Sequence, residues 1–285
     1  MRIATIDHAG RPTLVVRRGD QFVDLSVAAP DLPRDLLSLL RAGALERAGQ
    51  AAEAAGDDAL VEAAGASYLP PIGDPEKIIC LGLNYRDHAI ETGNPIPDYP
   101  VIFTRMTTTL AAHGKPMILP KAASDFDYEA ELAVVIGTGG RHIAMDAALD
   151  HVAGYSCFND GSIRSFQFKS NQFTMGKNFD GSGGFGPELV TPDELPAGGA
   201  GLRIQCRLNG ETMQDSSTDQ HIFDVPSAIS IISEVMSFRP GDVIIMGPPP
   251  GVGAARDPQV WMKDGDVCEV EIEGIGVLSN PIKAE

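Results

Sequence analysis

The sequence predicts an α+β protein, mainly β, with a small N-terminal α+β domain ahead of a larger β-rich one. Three observations carry this. The 285 residues include 31 Gly and 21 Pro, more turn formers than a helical bundle uses. Apolar residues recur in short alternating or β-branched runs bounded by Gly, Pro, Asn and Asp, the pattern of strands. Long helical patterns are confined to residues 32–64, rich in Ala, Leu and Glu, and to an amphipathic stretch at 226–238.

Taken in order, residues 3–6, 13–17 and 21–25 read as strands of a small antiparallel sheet, with turns at Asp7-His8-Ala9-Gly10 and Arg18-Gly19-Asp20. Residues 32–64 read as two helices separated near Gly56-Asp57-Asp58. The Pro-rich stretch 69–75 is a stiff connector, which divides the chain into domains 1–70 and 71–285. Residues 77–82 form a buried-strand pattern that runs into a polar cluster at 84–91. An irregular Pro-rich loop, 94–100, is placed to act as a lid, and 101–106 reads as a strand. Residues 128–136 alternate and stop at Gly137; a second run, 152–158, ends at Asn159-Asp160-Gly161. Residues 161–167 look helical. Residues 202–208 and 211–214 form a hairpin through Asn209-Gly210, 241–247 is a buried strand, and 266–272 and 276–278 close the chain.

Composition excludes several functions. With 22 basic against 39 acidic residues the formal charge is −17 and the pI about 4.6. Such a surface lacks the basic patches that nucleic acid requires and is repelled by anionic membranes. An anionic substrate then has to be captured locally, by a metal ion or a few placed cations. Cys80, Cys157, Cys206 and Cys268 show no C-x-x-C spacing and read as buried reduced thiols. The first residues lack the apolar core of a signal peptide and no apolar run is long enough to cross a bilayer, so a cytoplasmic protein is expected. The Gly-rich turn at 182–187 lacks the strand–G-x-G-x-x-G–helix context, and no Walker sequence occurs, which excludes nucleotide binding.

The candidate chemistry lies between residues 84 and 177. Successive side chains of a strand point to opposite faces, so Glu129 and Glu131 share one. Two adjacent carboxylates are either a solvated strand face or a buried pair that needs a cation between them. Asp160 adds a third carboxylate at a strand end. Hard oxygen ligands without His or Cys favour Mg²⁺, Mn²⁺ or Ca²⁺ over Zn²⁺. On a helical turn His88 and Glu91, three apart, face the same way. They form either a surface ion pair or an oriented base able to activate water. Arg105 is the only cation on its strand, an edge residue or a substrate clamp. Arg164 and Gln167 lie three apart, and Lys177 follows Gly176, where backbone and substrate can approach closely. His221, before an apolar pair, is either a packing residue or a group facing the pocket, and Trp261 reads as a packing residue.

From about residue 77 to 282 the chain resembles the fumarylacetoacetate hydrolase superfamily. The resemblance rests on GLNYRDHAIE, DYEAELAVVIG, GYSCFNDGSIRSFQ, GKNFDGSGGFGPELVT, LNGETMQ and PGDVIIMGPPPGVG, in that order. It is nearest to bacterial acylpyruvase and 2-hydroxyhepta-2,4-diene-1,7-dioate isomerase-like members. The resemblance implies a mixed β-sandwich roll with few helices, a homodimer, and one Mg²⁺ or Mn²⁺ ion per subunit held by Glu129, Glu131 and Asp160. It implies that His88 and Glu91 activate water, with Lys177 and Gln167 at the reacting oxygens, and that Tyr85, Arg105, Arg164, Gly247 and Pro248 contact substrate. Three positions depart from the family pattern. Pro248 stands where many members have a Thr that donates to the substrate carboxylate, Arg105 where many have Lys, and Ser165 where an Asp often follows the Arg.

The expected reaction is hydrolysis of a carbon–carbon bond in a 2,4-dioxo acid of acylpyruvate type, giving pyruvate and a carboxylic acid through an enolate. Isomerisation or decarboxylation of a 2-oxo dicarboxylate in aromatic-compound breakdown uses the same enolate and is the alternative. A metal-binding scaffold without turnover is the third reading, prompted by Pro248.

Overall fold

The computed structural model describes every residue except Asn94, so the lid reading of 94–100 lies partly outside the described residues. The N-terminal alternation produces β1 (Arg2–His8), β2 (Arg11–Arg18) and β3 (Gln21–Asp24), an antiparallel meander with its apolar positions buried. Helices α1 (Leu25–Ala28), α2 (Leu36–Arg41) and α3 (Leu45–Ala54) follow. Asp35 caps α2 by accepting from the Ser38 N–H at 2.8 Å. The expected break near Gly56 is corrected. The helices part at Gly43, whose φ of +62° ends α2, and residues after Gly56 form β4 (Leu60–Glu62) beside β3. Pairing with a waiting strand edge overrides helical composition there. β5 (Ser67–Leu69) then pairs with β1.

The remaining elements are β6 (Ile78–Gly82), α4 (Arg86–Glu91), β7 (Val101–Arg105), β8 (Leu110–Ala112), β9 (Met117–Leu119), β10 (Phe126–Asp127), β11 (Ala130–Ile136) and β12 (Val152–Asp160). After them come β13 (Ser162–Ile163), α5 (Arg164–Gln167), α6 (Thr174–Lys177), β14 (Gly183–Val190), β15 (Arg203–Leu208) and β16 (Glu211–Ser217). The chain ends with α7 (Val225–Val235), β17 (Val243–Ile245), β18 (Val267–Ile272) and β19 (Gly276–Ala284). Asn209 and Gly210 take positive φ of 52° and 82° in the tight β15–β16 turn.

A large mixed sheet runs β4-β3-β2-β1-β14-β12-β11-β17-β6-β7, with β5 on β1 and β8 on β14; a second runs β16-β15-β18-β19-β9. The N-terminal strands continue the large sheet, since Arg2 and Ile3 pair with Val190 and Leu189. One face of this sheet packs on the second sheet and α7, the other on the N-terminal helices. Within β11, Leu132, Val134 and Ile136 enter the first core while Ala133 and Val135 enter the second. Burial on both faces explains why 132–136 reads as one continuous apolar run. The architecture is the mainly β, α+β arrangement that the composition predicts. All four cysteines are free and buried. Among the described residues no helix is long and apolar enough to cross a membrane.

Candidate metal centre

The site grows from the register of β11 and β12. Glu131 lies opposite Phe158 and Ala130 opposite Asn159, so the next residues outward, Glu129 and Asp160, meet across the strand ends. The Asp160 N–H donates to the Glu129 carbonyl at 2.9 Å. The three carboxylates thus emerge on one face, with oxygens of Glu129, Glu131 and Asp160 all within 4.8 Å of one another. None is more than 2 % exposed.

Three cations are drawn to them. Lys177 Nζ donates to Glu129 Oε2 at 2.5 Å and to Asp160 Oδ2 at 2.7 Å. Gly176 makes this reach possible, because a side chain there would collide with the Gln167 backbone at 2.5 Å and force α6 off α5. Arg164 donates to Glu129 Oε1 at 2.7 Å, to Asp127 Oδ2 at 2.8 Å and to Gln167 Oε1 at 2.8 Å. Arg105 donates to Asp160 Oδ1, to the Gly161 carbonyl at 3.2 Å and to Ser182 Oγ at 2.7 Å. Burial pushes the Glu129 carboxyl up, but Lys177 and Arg164 outweigh it and hold the group at about 2. Among the described residues no cation is ion-paired with Glu131. Burial, then Asp160 and Glu129, push its pKa well above the carboxylate range, opposed by Lys177 and by the Gly247 N–H at 2.5 Å.

Beside the triad opens a cavity of about 390 Å³. Its polar wall includes His88, Glu129, Glu131, Arg164, Gln167 and Lys177, and its apolar wall Leu81, Leu83, Phe103, Phe173, Pro248 and Val252. His88 sits on α4, 6 % exposed, with Nδ1 3.5 Å from Glu91 Oε2 and in no hydrogen bond. Glu91 is anchored by the Gly251 N–H at 2.9 Å. Burial raises its pKa, but His88 and that N–H prevail and keep it low. Asn84, fully buried, ties the approach to α4 to the far loops: it donates to the Met246 carbonyl at 2.7 Å and accepts from the Phe223 N–H at 2.8 Å.

Several sequence expectations are corrected. Arg105 is not a solvated edge residue; it is buried, its fork is turned to Asp160, and it is absent from the cavity lining, where a substrate clamp is expected. Arg164 lines the cavity, but its donors go to protein carboxylates and Gln167. Tyr85 does not line the cavity; its buried ring packs edge-on against His221, centroids 4.6 Å apart. Gly247 holds Glu131 through its N–H, at a φ of +88° where a Cβ would strike Asn84 Cβ and the Leu81 carbonyl at 2.8 Å each. Pro248 does line the cavity. Asp127 escaped the sequence reading although it completes an i, i+2, i+4 series with Glu129 and Glu131. It anchors Arg164 and accepts from the Gly253 and Ala254 N–H groups at 2.7 and 2.9 Å, closing the far loop over the site.

The donor set fits a divalent cation. Among the described residues Asp127, Glu129, Glu131 and Asp160 pair with Arg105, Arg164 and Lys177 alone, so four buried carboxylates against three cations leave one negative charge uncompensated. A bare buried charge is costly, and it is removed either by a proton on Glu131 or by a metal ion. All-carboxylate donors suit Mg²⁺ or Mn²⁺.

A model of the C-terminal fumarylacetoacetate (FAA) hydrolase domain matches residues 77–283. The chain is 38% identical over 290 residues to "Oxaloacetate tautomerase fahd2, mitochondrial" of Xenopus laevis, covering 99% of this chain and 90% of that one. Among solved structures it is similar to a putative HpcE protein from Mycobacterium smegmatis, with TM-score 0.89, 34% identity and coverage of 100% and 99% of the two chains. It is also similar to maleylpyruvate hydrolase from Sphingobium sp. SYK-6 in complex with manganese(II) and pyruvate, with TM-score 0.82, 28% identity and coverage of 100% and 99%.

Proposed function

The chain belongs to the fumarylacetoacetate hydrolase family, and from that premise we propose that it moves a proton at the carbon beside the carbonyl of a 2-oxo acid, with keto–enol interconversion as the first activity to seek. The observation that carries this reading is His88, the one histidine among the described residues lining the cavity, buried beside three clustered carboxylates and Lys177. A Mg²⁺ or Mn²⁺ ion held by Glu129, Glu131 and Asp160 would supply Lewis-acid charge to the 2-oxo and carboxylate oxygens. His88 takes the proton from C3 and returns it to carbon or oxygen, while Glu91, 3.5 Å from Nδ1, keeps the ring oriented. The Lys177 ammonium shares the negative charge of the enolate. Gln167, fixed through Oε1 by Arg164, is the neutral hydrogen-bonding group beside them.

A second reading is hydrolysis of the C3–C4 bond of a 2,4-dioxo acid of acylpyruvate type, giving pyruvate and a carboxylic acid. The His88–Glu91 pair favours it, since an imidazole oriented by a carboxylate can equally deprotonate water. One experiment separates the readings. Manganese-loaded protein is mixed with the enol of oxaloacetate and, separately, with a 4-alkyl-2,4-dioxobutanoate, while enol absorbance, pyruvate and CO₂ are followed. A tautomerase discharges the enol band without releasing pyruvate, a hydrolase yields pyruvate and acid in equal amounts, and a decarboxylase yields CO₂. No acceleration on either substrate, or activity indifferent to thorough chelation, overturns both.

A further inference from the structure

We infer that the cavity selects 2-oxo acids bearing a single carboxylate and an uncharged, apolar group beyond C3, and disfavours 2-oxo dicarboxylates; this rests on the reading just given. The argument is an inventory of cations. A second substrate carboxylate entering the cavity has to be neutralised, because burying an unpaired charge is strongly unfavourable. Arg164 places three of its N–H groups on Asp127, Glu129 and Gln167, and Lys177 bridges Glu129 and Asp160, so the charge of each is already matched by protein carboxylates. Arg256, near Glu91, is turned to the Gly251 and Met213 carbonyls at 3.2 and 2.6 Å. Lys169 lies with its Nζ 3.4 Å from the centre of the Phe166 ring. Pro248 has no N–H or hydroxyl to offer.

The walls point the same way. Away from the triad the cavity is lined mainly by Leu81, Leu83, Phe103, Phe168, Phe173 and Val252, and the polar residues there, Thr92, Ser170 and Asn171, are neutral and bring no positive charge. An outer chamber of about 480 Å³ shares Arg164 and Phe168 with it and adds Trp261, but its charged rim is Glu91 and Asp125. Asp125 is held by the Ser165 N–H and hydroxyl, neutral donors that leave its charge in place, and Glu91 is held by the Gly251 N–H with His88 at 3.5 Å and Arg256 nearby. A distal carboxylate therefore meets aromatic rings and two anions, whereas an alkyl or aryl group meets surface it can bury. This preference would set the chain apart from relatives named for oxaloacetate.

The test compares two six-carbon ligands sharing one head group, 2-oxohexanoate and 2-oxoadipate, with pyruvate as the control for that head group. Binding to the manganese-loaded protein is read by calorimetry and by the fluorescence of Trp261, the single tryptophan. The expected result is that 2-oxohexanoate binds at least tenfold more tightly than 2-oxoadipate. Equal affinities, or tighter binding of 2-oxoadipate, overturn the inference while leaving the proposed function intact. Failure of all three, pyruvate included, to bind removes the 2-oxo acid reading and the inference with it.

Discussion

Replacing Arg105 by Lys tests whether this cation serves the substrate or the metal ligands. The Arg105 side chain is fully buried and reaches four acceptors: Asp160 Oδ1, the Gly161 carbonyl, Ser182 Oγ and, through Nε at 3.3 Å, Thr109 Oγ1. A Lys ammonium is a point donor on a different stem; it can keep the charge beside Asp160 but cannot span the fork. Two or three buried acceptors then lose their donor, each worth about 1 kcal/mol, so the metal-free protein should lose roughly 2–3 kcal/mol. Asp160 also loses its orientation, and weakened support of a metal ligand typically lowers metal affinity about 10–100-fold. Urea unfolding of the metal-free chain and a manganese titration measure the two effects. KM is then taken at saturating manganese, where it should stay close to that of the parent. Unchanged stability and manganese affinity together with a raised KM would show that Arg105 does face the substrate, and would refute the geometry argued here.

Three further outcomes follow from the same site and its surroundings. His88→Ala should keep manganese affinity within threefold while turnover falls about 10²–10⁴-fold, the usual contribution of a positioned base; a parallel loss of metal would reassign His88 to the metal site. Glu131 has a raised pKa in the metal-free fold, so its contribution to stability is full below the ordinary carboxylate range and is lost as pH rises through the raised value. Metal-free protein should accordingly weaken towards neutral pH while the stabilisation by manganese widens, and Glu131→Gln should flatten that slope in denaturation curves taken across pH. His221 is depressed from 6.5 to about 4, chiefly by burial, so stability present above its ordinary range is lost as pH falls towards 4. The loss approaches about 3 kcal/mol, and His221→Phe should remove it from acid-denaturation curves if the buried ring is its source.

What could be read from the chain beforehand follows a physical division. Strand periodicity is local, so the run at 128–136, the hairpin at Asn209-Gly210 and the shared face of Glu129 and Glu131 were all legible. That Asp160 belongs with them depends on the β11–β12 register, which no spacing reveals; there the family motifs supplied what periodicity could not. Asp127 is legible in principle, since it precedes Glu129 by two, but it lies just outside the apolar alternation that begins at Tyr128. The role of Gly247 is carried by a backbone N–H, which leaves no trace in side-chain chemistry beyond the glycine itself. The break misplaced to Gly56 shows the opposite failure, a local propensity overruled by a strand edge 40 residues upstream in the chain, at Gln21–Asp24.

The misplaced cations are the most instructive case. Sequence shows that Arg105, Arg164 and Lys177 lie near acidic motifs, and an anionic substrate invites the assumption that they bind it. Once strand register buries Asp127, Glu129, Glu131 and Asp160 together, that assumption fails on energetic grounds for Arg105 and Arg164, while Lys177, which lines the cavity, answers first to Glu129 and Asp160. Four carboxylates removed from water have first claim on any cation within reach, because an unpaired buried charge destabilises the fold at all times, whereas a substrate is present only intermittently. Three cations do not suffice, and the shortfall is what suits the site to a divalent ion. A divalent ion held there would add two positive charges where one is missing, leaving a single net positive charge to meet a single substrate carboxylate. The same accounting makes a second carboxylate unwelcome, so metal dependence and the preference for monocarboxylates stand on one arrangement of charges.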